Sequence, residues 1–310
     1  MIKSLLIIAD LEGCAGVYDL SMKSIELMNI QVNYVLKYIE KNFSLNVEVL
    51  DFHDSGNNLI STAEKNPNVR FIKHIWNFND TIHYDAAILL GFHAKGGIYG
   101  GLSHTFRGDI KRVLLGKKEV GEAEIICNWL YSLGIPVLLI NGDEFFCANT
   151  ELGIPKFSLK KNYMDLDKTY IEAYYEQLCL SIHKAIVSPI PSYQYINEKV
   201  YMELKYEFQK LYFPANHFKV KRNMLVFENT NYFLSYLQEI CTILNSAFKI
   251  TSVRLERLIK YIKFHYHKEQ IDLIDDVKFK SIMNDIECID VNIIDEKYIL
   301  KILDKVSSNK

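Results

Sequence analysis

Short apolar runs recur along the first half of the chain and end in glycine or polar residues. They lie at residues 5–9, 47–50, 69–72, 86–90 and 137–140. Runs of this length are typical of buried strands. Between them, apolar residues at helical spacing predict amphipathic helices over residues 24–42 and 123–130. Strands that alternate with helices predict an α/β fold, a mostly parallel sheet with helices on both faces.

The second half of the chain has a different pattern. Apolar and polar residues alternate over 200–208, which predicts a strand, and more strand is expected over 218–227. Helical spacing predicts further helices over 167–187, after Asn229 and around 255–262. We therefore predict a smaller α+β second domain and a helical C-terminal tail. The predicted domains are residues 1–155, 156–250 and 251–310.

The composition indicates which part of the chain carries the functional site and which classes of function are unfavourable. All 14 glycines fall at or before Gly153, and glycine permits tight turns and close approach of the backbone to ligands. The chemistry is therefore expected in the first half. The formal charge of -2 argues against a nucleic-acid binder that works through bulk charge. No apolar run is long enough to predict a membrane helix, and the scattered cysteines favour reduced thiols in a cytoplasm.

Polar side chains follow the ends of the predicted strands. Asp10 and Glu12 follow the first strand, His53 the second and His93 the fourth, while Glu122 opens a predicted helix. The carboxyl ends of parallel strands lie at one edge of a sheet, where α/β proteins bind ligands. Carboxylates and imidazoles are ligands of zinc and related divalent metals. One divalent ion would leave three carboxylates with a net negative charge, whereas two would favour a bound hydroxide, with Asp10 as the natural bridge.

His104 lies in the glycine-rich loop that follows His93. Such a loop can place an imidazole over the metals, where it would act as general acid, general base or nucleophile. The alternative is a loop residue that shapes the pocket. Asp143, after the last apolar run, is either a supporting residue or a helix cap. A two-metal phosphoesterase is a further possibility, for which only Lys95 and Arg107 are nearby cations.

The motifs resemble those of the D-aminopeptidase family of zinc metallopeptidases. The matching residues are Asp10-Leu11-Glu12-Gly13, Asp51-Phe52-His53-Asp54 with Asn57-Asn58, Gly91-Phe92-His93-Ala94, Ser103-His104 and Val120-Gly121-Glu122. The resemblance implies a zinc-dependent peptidase that removes N-terminal D-amino acids from short peptides. It also implies a self-compartmentalising homo-oligomer with two zinc ions per subunit. The implied metal ligands are Asp10, Glu12, His53, His93 and Glu122, and the implied catalytic residue is His104.

The resemblance fails in two stretches of the chain. The segment between Lys156 and Asp167 is shortened relative to the family, and residues 251–310 have no recognised counterpart. These departures leave an alternative open. The chain would then be a repurposed family member that acts on or binds a peptide or carrier-bound intermediate, or a non-catalytic scaffold. On the main interpretation, residues 1–155 form the catalytic domain and residues 156–250 serve oligomerisation and substrate access.

Overall fold

The structure is a computed structural model that describes residues 2–54, 56–59, 68–98, 100, 102–159, 168–205, 219–221, 223–238 and 240–241. The predicted C-terminal helix lies outside these residues, as do residues 160–167 of the shortened segment. The strands are β1 (Ser4–Ala9), β2 (Asn46–Asp51), β3 (Val69–Ile72), β4 (Ala86–Phe92), β5 (Ile110–Leu115), β6 (Lys118–Val120), β7 (Val137–Asp143), β8 (Lys156–Leu159), β9 (Val200–Leu204), β10 (Lys219–Lys221) and β11 (Met224–Phe227). The helices are α1 (Met22–Asn42), α2 (Glu122–Ser132), α3 (Glu144–Asn149) and α4 (Lys168–Val187). Residues 230–238 are also helical, as predicted after Asn229.

The first sheet is parallel throughout. Its strand order is β3-β2-β1-β4-β7-β8, and every neighbouring pair runs parallel. The order of the strands reverses between β1 and β4. In open α/β sheets such a switch point leaves a crevice beyond the carboxyl ends of the strands, where ligands bind. The fold therefore prepares a site at the ends of β1 and β4.

Helices cover both faces of this sheet, as predicted. On one face, α1 and α4 share a core with β1, to which Ile7, Val32 and Ile182 belong. On β1, Leu6 and Ile8 are also buried but are not part of this core, because successive side chains of a strand point to opposite faces. Helix α2 contacts β4 and β7, and its buried side chains also lie outside that core. The predicted α/β architecture is confirmed.

The second sheet is smaller and antiparallel, with the order β10-β11-β9-β5-β6. It takes β5 and β6 from before residue 155 and the other strands from after it. Both sheets belong to one compact unit, which comprises residues 1–205 and 216–235. The boundary predicted at residue 155 falls inside this unit. The three-part division into 1–155, 156–250 and 251–310 stays a prediction.

Two glycines allow the ends of β1 and β4 to approach each other closely. The amide of Gly13 donates to the carbonyl oxygen of Gly91 at 2.7 Å. Gly91 has a φ of 74°, and a Cβ atom there would lie 2.2 Å from the carbonyl oxygen of Asp10. Only glycine combines this conformation with this contact. The close approach places the segments that carry Asp10 and His93 side by side.

No helix among the described residues is both long enough and apolar enough to span a membrane.

Candidate metal centre

The fold brings all six predicted site residues together at the carboxyl ends of the central strands. Asp10 and Glu12 follow β1, His53 follows β2 and His93 follows β4. Glu122 is the first residue of α2. The sixth residue, His104, lies in the loop between β4 and β5. The structure therefore joins residues that are spread over more than a hundred positions of the sequence.

Asp10, Glu12 and His53 form the first group of candidate ligands, with their ligand atoms within 4.8 Å of one another. His53 Nδ1 lies 3.1 Å from Glu12 Oε2 and 3.8 Å from Asp10 Oδ1. Both carboxylates are almost fully buried, and the side chain of His53 is 13% exposed. Two acids and one imidazole thus converge on one point.

Asp10, His93 and Glu122 form the second group, and the Asp10 carboxylate belongs to both. His93 Nε2 lies 3.5 Å from Asp10 Oδ2 and 3.3 Å from Glu122 Oε1. His93 Nδ1 donates to the carbonyl oxygen of Ala94 at 2.9 Å, because a carbonyl oxygen can only accept. This hydrogen bond holds the Nδ1 proton, so the Nε2 atom that faces the two carboxylates can act as a ligand once its own proton is lost.

His104 lies beside both groups and is the most exposed of the six side chains, at 29%. Its Nε2 atom lies 4.0 Å from Glu12 Oε1 and 3.7 Å from Glu122 Oε1. With Glu12 and His93 it forms a third group of possible ligands. However, its ring stacks on that of His93, with centroids 4.3 Å apart and planes at 14°. An imidazole lone pair lies in the plane of its ring, so two nearly parallel rings cannot both aim well at one ion.

Burial and crowding of charge shift the pKa values of these groups. Burial, reinforced by the negative charge of Glu12, raises the pKa of Asp10 to about 8. Burial also disfavours charge on Glu12, but a hydrogen bond from His53 and the charge of His93 lower its pKa to about 2. Burial opposes charge on the imidazoles, yet the surrounding carboxylates raise the pKa of both His53 and His93 to about 10. Without a metal, His53 and His93 are therefore positively charged imidazolium groups at neutral pH.

Neighbouring residues hold the ligands in place. The Asp51 carboxylate accepts from the backbone amides of Asn58 and Leu59 at 2.6 and 2.9 Å. The Asn58 side chain donates to the carbonyl oxygen of His53 at 2.7 Å. Together, Asp51 and Asn58 fix the loop that carries His53. Both supporting residues, Asp51 and Asn58, belong to the sequence motif Asp51-Phe52-His53-Asp54 with Asn57-Asn58.

Sequence reasoning missed the role of Phe106. Its backbone amide donates to Glu122 Oε1 at 2.7 Å, and its φ of 60° is rare for a residue that is not glycine. Left-handed backbone at such a residue is not visible in a sequence pattern. The conformation directs the amide at the Glu122 carboxylate.

The remaining polar residues have structural roles. Asp143 caps α3 by accepting from the amide of Phe146 at 2.6 Å, and it also accepts from the amide of Ala94, next to His93, at 3.3 Å, so it serves both as a helix cap and as a supporting residue. Glu124 accepts from the amide of Gly121 at 3.1 Å and closes the start of α2. Lys95 donates to the carbonyl oxygen of Glu119, and Arg107 pairs with Asp109. Because both candidate phosphate-binding cations are engaged elsewhere, the phosphoesterase alternative is not favoured.

Comparison with known proteins gives a family and a fold. The model of the D-aminopeptidase family matches residues 4–185, more than half of the chain. Among solved structures, the chain is similar to the Zn-dependent D-aminopeptidase DppA from Bacillus subtilis, described as a self-compartmentalizing protease. The TM-score is 0.63 at 16% identity, and the match covers 78% of this chain and 97% of that one. No curated protein sequence matches.

Proposed function

The chain belongs to the D-aminopeptidase family and is a peptide-bond hydrolase, and from this premise we propose that it is a two-zinc aminopeptidase acting on short peptides. The observation that carries the proposal is the pair of ligand groups that share Asp10. One zinc ion would be held by Asp10, Glu12 and His53. The other would be held by Asp10, His93 and Glu122.

The donor set fits divalent metal ions. Asp10 Oδ2 and His93 Nε2 are buried, lie 3.5 Å apart and have no hydrogen-bond partner among the described residues. A buried polar atom left unpaired costs about 1–3 kcal/mol, and coordination of a cation by both atoms would remove that cost. Carboxylate oxygen and imidazole nitrogen are ligands that zinc accepts. The similarity to a Zn-dependent D-aminopeptidase supports the choice of zinc.

The charge of the cluster supports two ions. The three carboxylates of Asp10, Glu12 and Glu122 would leave the site with a net negative charge if one divalent ion were bound. With two divalent ions the net charge of the site would be positive. Zinc bound there would supply a Lewis acid for the peptide carbonyl and would lower the pKa of a bound water to about 7. The carboxylates that would hold the ions are buried, and electrostatic attraction is stronger in the protein interior than in water.

His104 is proposed as the catalytic residue. Its Nδ1–H donates to the carbonyl oxygen of Leu102 at 2.8 Å, which leaves the Nε2 lone pair free in the neutral ring. Nε2 faces the carboxylates of Glu12 and Glu122. The side chain is accessible to solvent, unlike that of His93. His104 can therefore attack the scissile carbonyl or carry a proton to the leaving amine at Nε2.

We also propose a homo-oligomer and a cytoplasmic location. The relative DppA is described as self-compartmentalizing, which supports assembly from several copies. The described cysteines Cys14, Cys127, Cys147, Cys179 and Cys241 are free thiols. Reduced thiols are typical of a cytoplasm.

Hydrolysis of a peptide panel tests the proposed activity. The zinc-loaded wild type is offered dipeptides with D- or L-residues at the N-terminus, and the same dipeptides with an acetylated N-terminus. We expect release of free N-terminal residues, preferentially of D configuration, and no cleavage of acetylated peptides. Asp10→Ala should be inactive while its circular dichroism matches that of the wild type. Full turnover by a metal-depleted enzyme or by Asp10→Ala would refute the assignment.

A further inference from the structure

Asn141 is the hub of a buried hydrogen-bond network next to the candidate metal centre. It lies in β7 and is fully buried. Its Oδ1 atom accepts from the amide of Gly91 at 3.3 Å and from Gln31 Nε2 at 2.9 Å. Its Nδ2 atom donates to the carbonyl oxygen of Phe157 at 3.0 Å and to the hydroxyl of Tyr174 at 2.6 Å. All the hydrogen-bonding capacity of the amide is used.

The contact with Gly91 compensates for an irregularity in the sheet. The pairing of β4 with β7 shifts register between Leu89 and Phe92, and Gly91 within this stretch has left-handed backbone. Such an irregularity leaves some backbone amides and carbonyls without their regular hydrogen bonds between strands, and it changes the direction of the residues that follow. The Asn141 side chain satisfies the Gly91 amide there. Gly91 is two residues before His93.

Gln31 extends the same network to the segment after β1. Gln31 lies on α1 and is fully buried. Its Oε1 atom accepts from the backbone amide of Ala15 at 3.0 Å, three residues after Glu12. The network therefore reaches two of the four segments that carry candidate ligands, the one with His93 directly and the one with Asp10 and Glu12 through Gln31.

Resting on the proposed two-zinc function, we propose that Asn141 is a positioning residue for the metal centre. It holds the irregular turn at Gly91, so that His93 Nε2 faces Asp10 and Glu122. Buried amides are costly unless every donor and acceptor is paired, and fully paired networks rigidify their surroundings. The cost of burying Asn141 and Gln31 is explained if this rigidity fixes the ligands.

The test compares Asn141→Leu with Asn128→Leu, because Asn128 offers a matched control. Asn128 is equally buried, but its side chain bonds Ile196 and Thr230, neither of which lies on a segment that carries a candidate ligand. Both substitutions remove a buried amide of the same size. The readouts are zinc affinity, from competition with a chelator, and hydrogen exchange of residues 90–94 in the metal-free protein. Gln31→Met is the second variant, which keeps the fold testable if Asn141→Leu does not accumulate.

We expect Asn141→Leu to weaken zinc binding by about tenfold, the lower end of the loss for direct partners of metal ligands, because Asn141 acts on His93 through Gly91. It should also speed hydrogen exchange at residues 90–94, and Gln31→Met should weaken zinc binding less. Asn128→Leu should lower thermal stability and leave both readouts at wild-type values. Unchanged zinc affinity in folded Asn141→Leu, or an equal loss in Asn128→Leu, would overturn the positioning role. A wild type that takes up no zinc would instead overturn the proposed function, and unchanged hydrogen exchange in Asn141→Leu would then still overturn the role of Asn141.

Discussion

Single residues decide the chemistry of the site, and Asp10 is central among them because both ligand groups contain it. The sequence was enough to find the six candidate residues, since each follows an apolar run or lies in a recognisable motif. It was not enough to find Phe106 or Asn141. The role of Phe106 depends on a left-handed backbone, and that of Asn141 on contacts with Gln31 and Tyr174. Such contacts leave no periodic signal in the sequence.

Glu122→Gln tests the second ligand group, with Glu124→Gln as its control on the same helix. Glu122 faces His93, whereas Glu124 caps the start of α2. We expect Glu122→Gln to lower kcat/KM by more than about 100-fold. Loss of a residue that only supports a metal ligand already lowers metal affinity or activity about 10- to 100-fold, and loss of a ligand should cost more. Glu124→Gln should cost about 1 kcal/mol of stability or less and keep activity. Steady-state kinetics and thermal unfolding separate the two effects, and equal losses of activity would contradict the ligand role of Glu122.

Zinc affinity should depend steeply on pH. The pKa values of His53 and His93 are raised to about 10 in the metal-free protein, so both imidazoles are in the doubly protonated, charged form at pH 7. Zinc must displace these protons, and its affinity should rise by at least about tenfold per pH unit between pH 6 and 8. Calorimetry in buffers with different ionisation enthalpies measures the protons released. Binding that is independent of pH would show that these imidazoles are not ligands.

At the scale of elements, apolar runs predicted the central parallel strands because each is buried on both faces. They did not predict β8, whose four residues mix polar and apolar side chains, or the short helix α3. The sequence also placed a boundary at residue 155. The pairing of β9 with β5 joins strands from the two sides of that boundary, a long-range contact that local periodicity does not encode, and the boundary itself stays a prediction.

Gly91→Ala should disrupt the close approach of the segments at the ends of β1 and β4. A Cβ atom there would meet the Asp10 carbonyl oxygen and the Cys14 sulfur at 2.2 and 2.5 Å, in addition to the strain of left-handed backbone. Gly97 is the control, since it has a φ of 86° but a Cβ atom added there would meet no atom within 4 Å. We expect Gly97→Ala to cost about 1–2 kcal/mol of stability and Gly91→Ala to cost clearly more, measured by urea unfolding. Equal costs would contradict the close approach.

At the scale of the whole molecule, the proposed homo-oligomer can be tested by the mass of the protein in solution. We expect the mass in solution to be a multiple of the 36.1 kDa chain, because the relative is described as self-compartmentalizing. Light scattering coupled to size-exclusion chromatography measures this mass. A single species of 36.1 kDa at micromolar concentration would contradict the proposed homo-oligomer.

The central claim is a two-zinc site bridged by Asp10, and metal content tests it most directly. Elemental mass spectrometry would be performed on the wild type and on Asp10→Asn, both purified without added metal. The account predicts about two zinc ions per chain in the wild type and a sharp fall in Asp10→Asn, since that carboxylate belongs to both groups. A wild type that holds no zinc and takes none up on titration would contradict it.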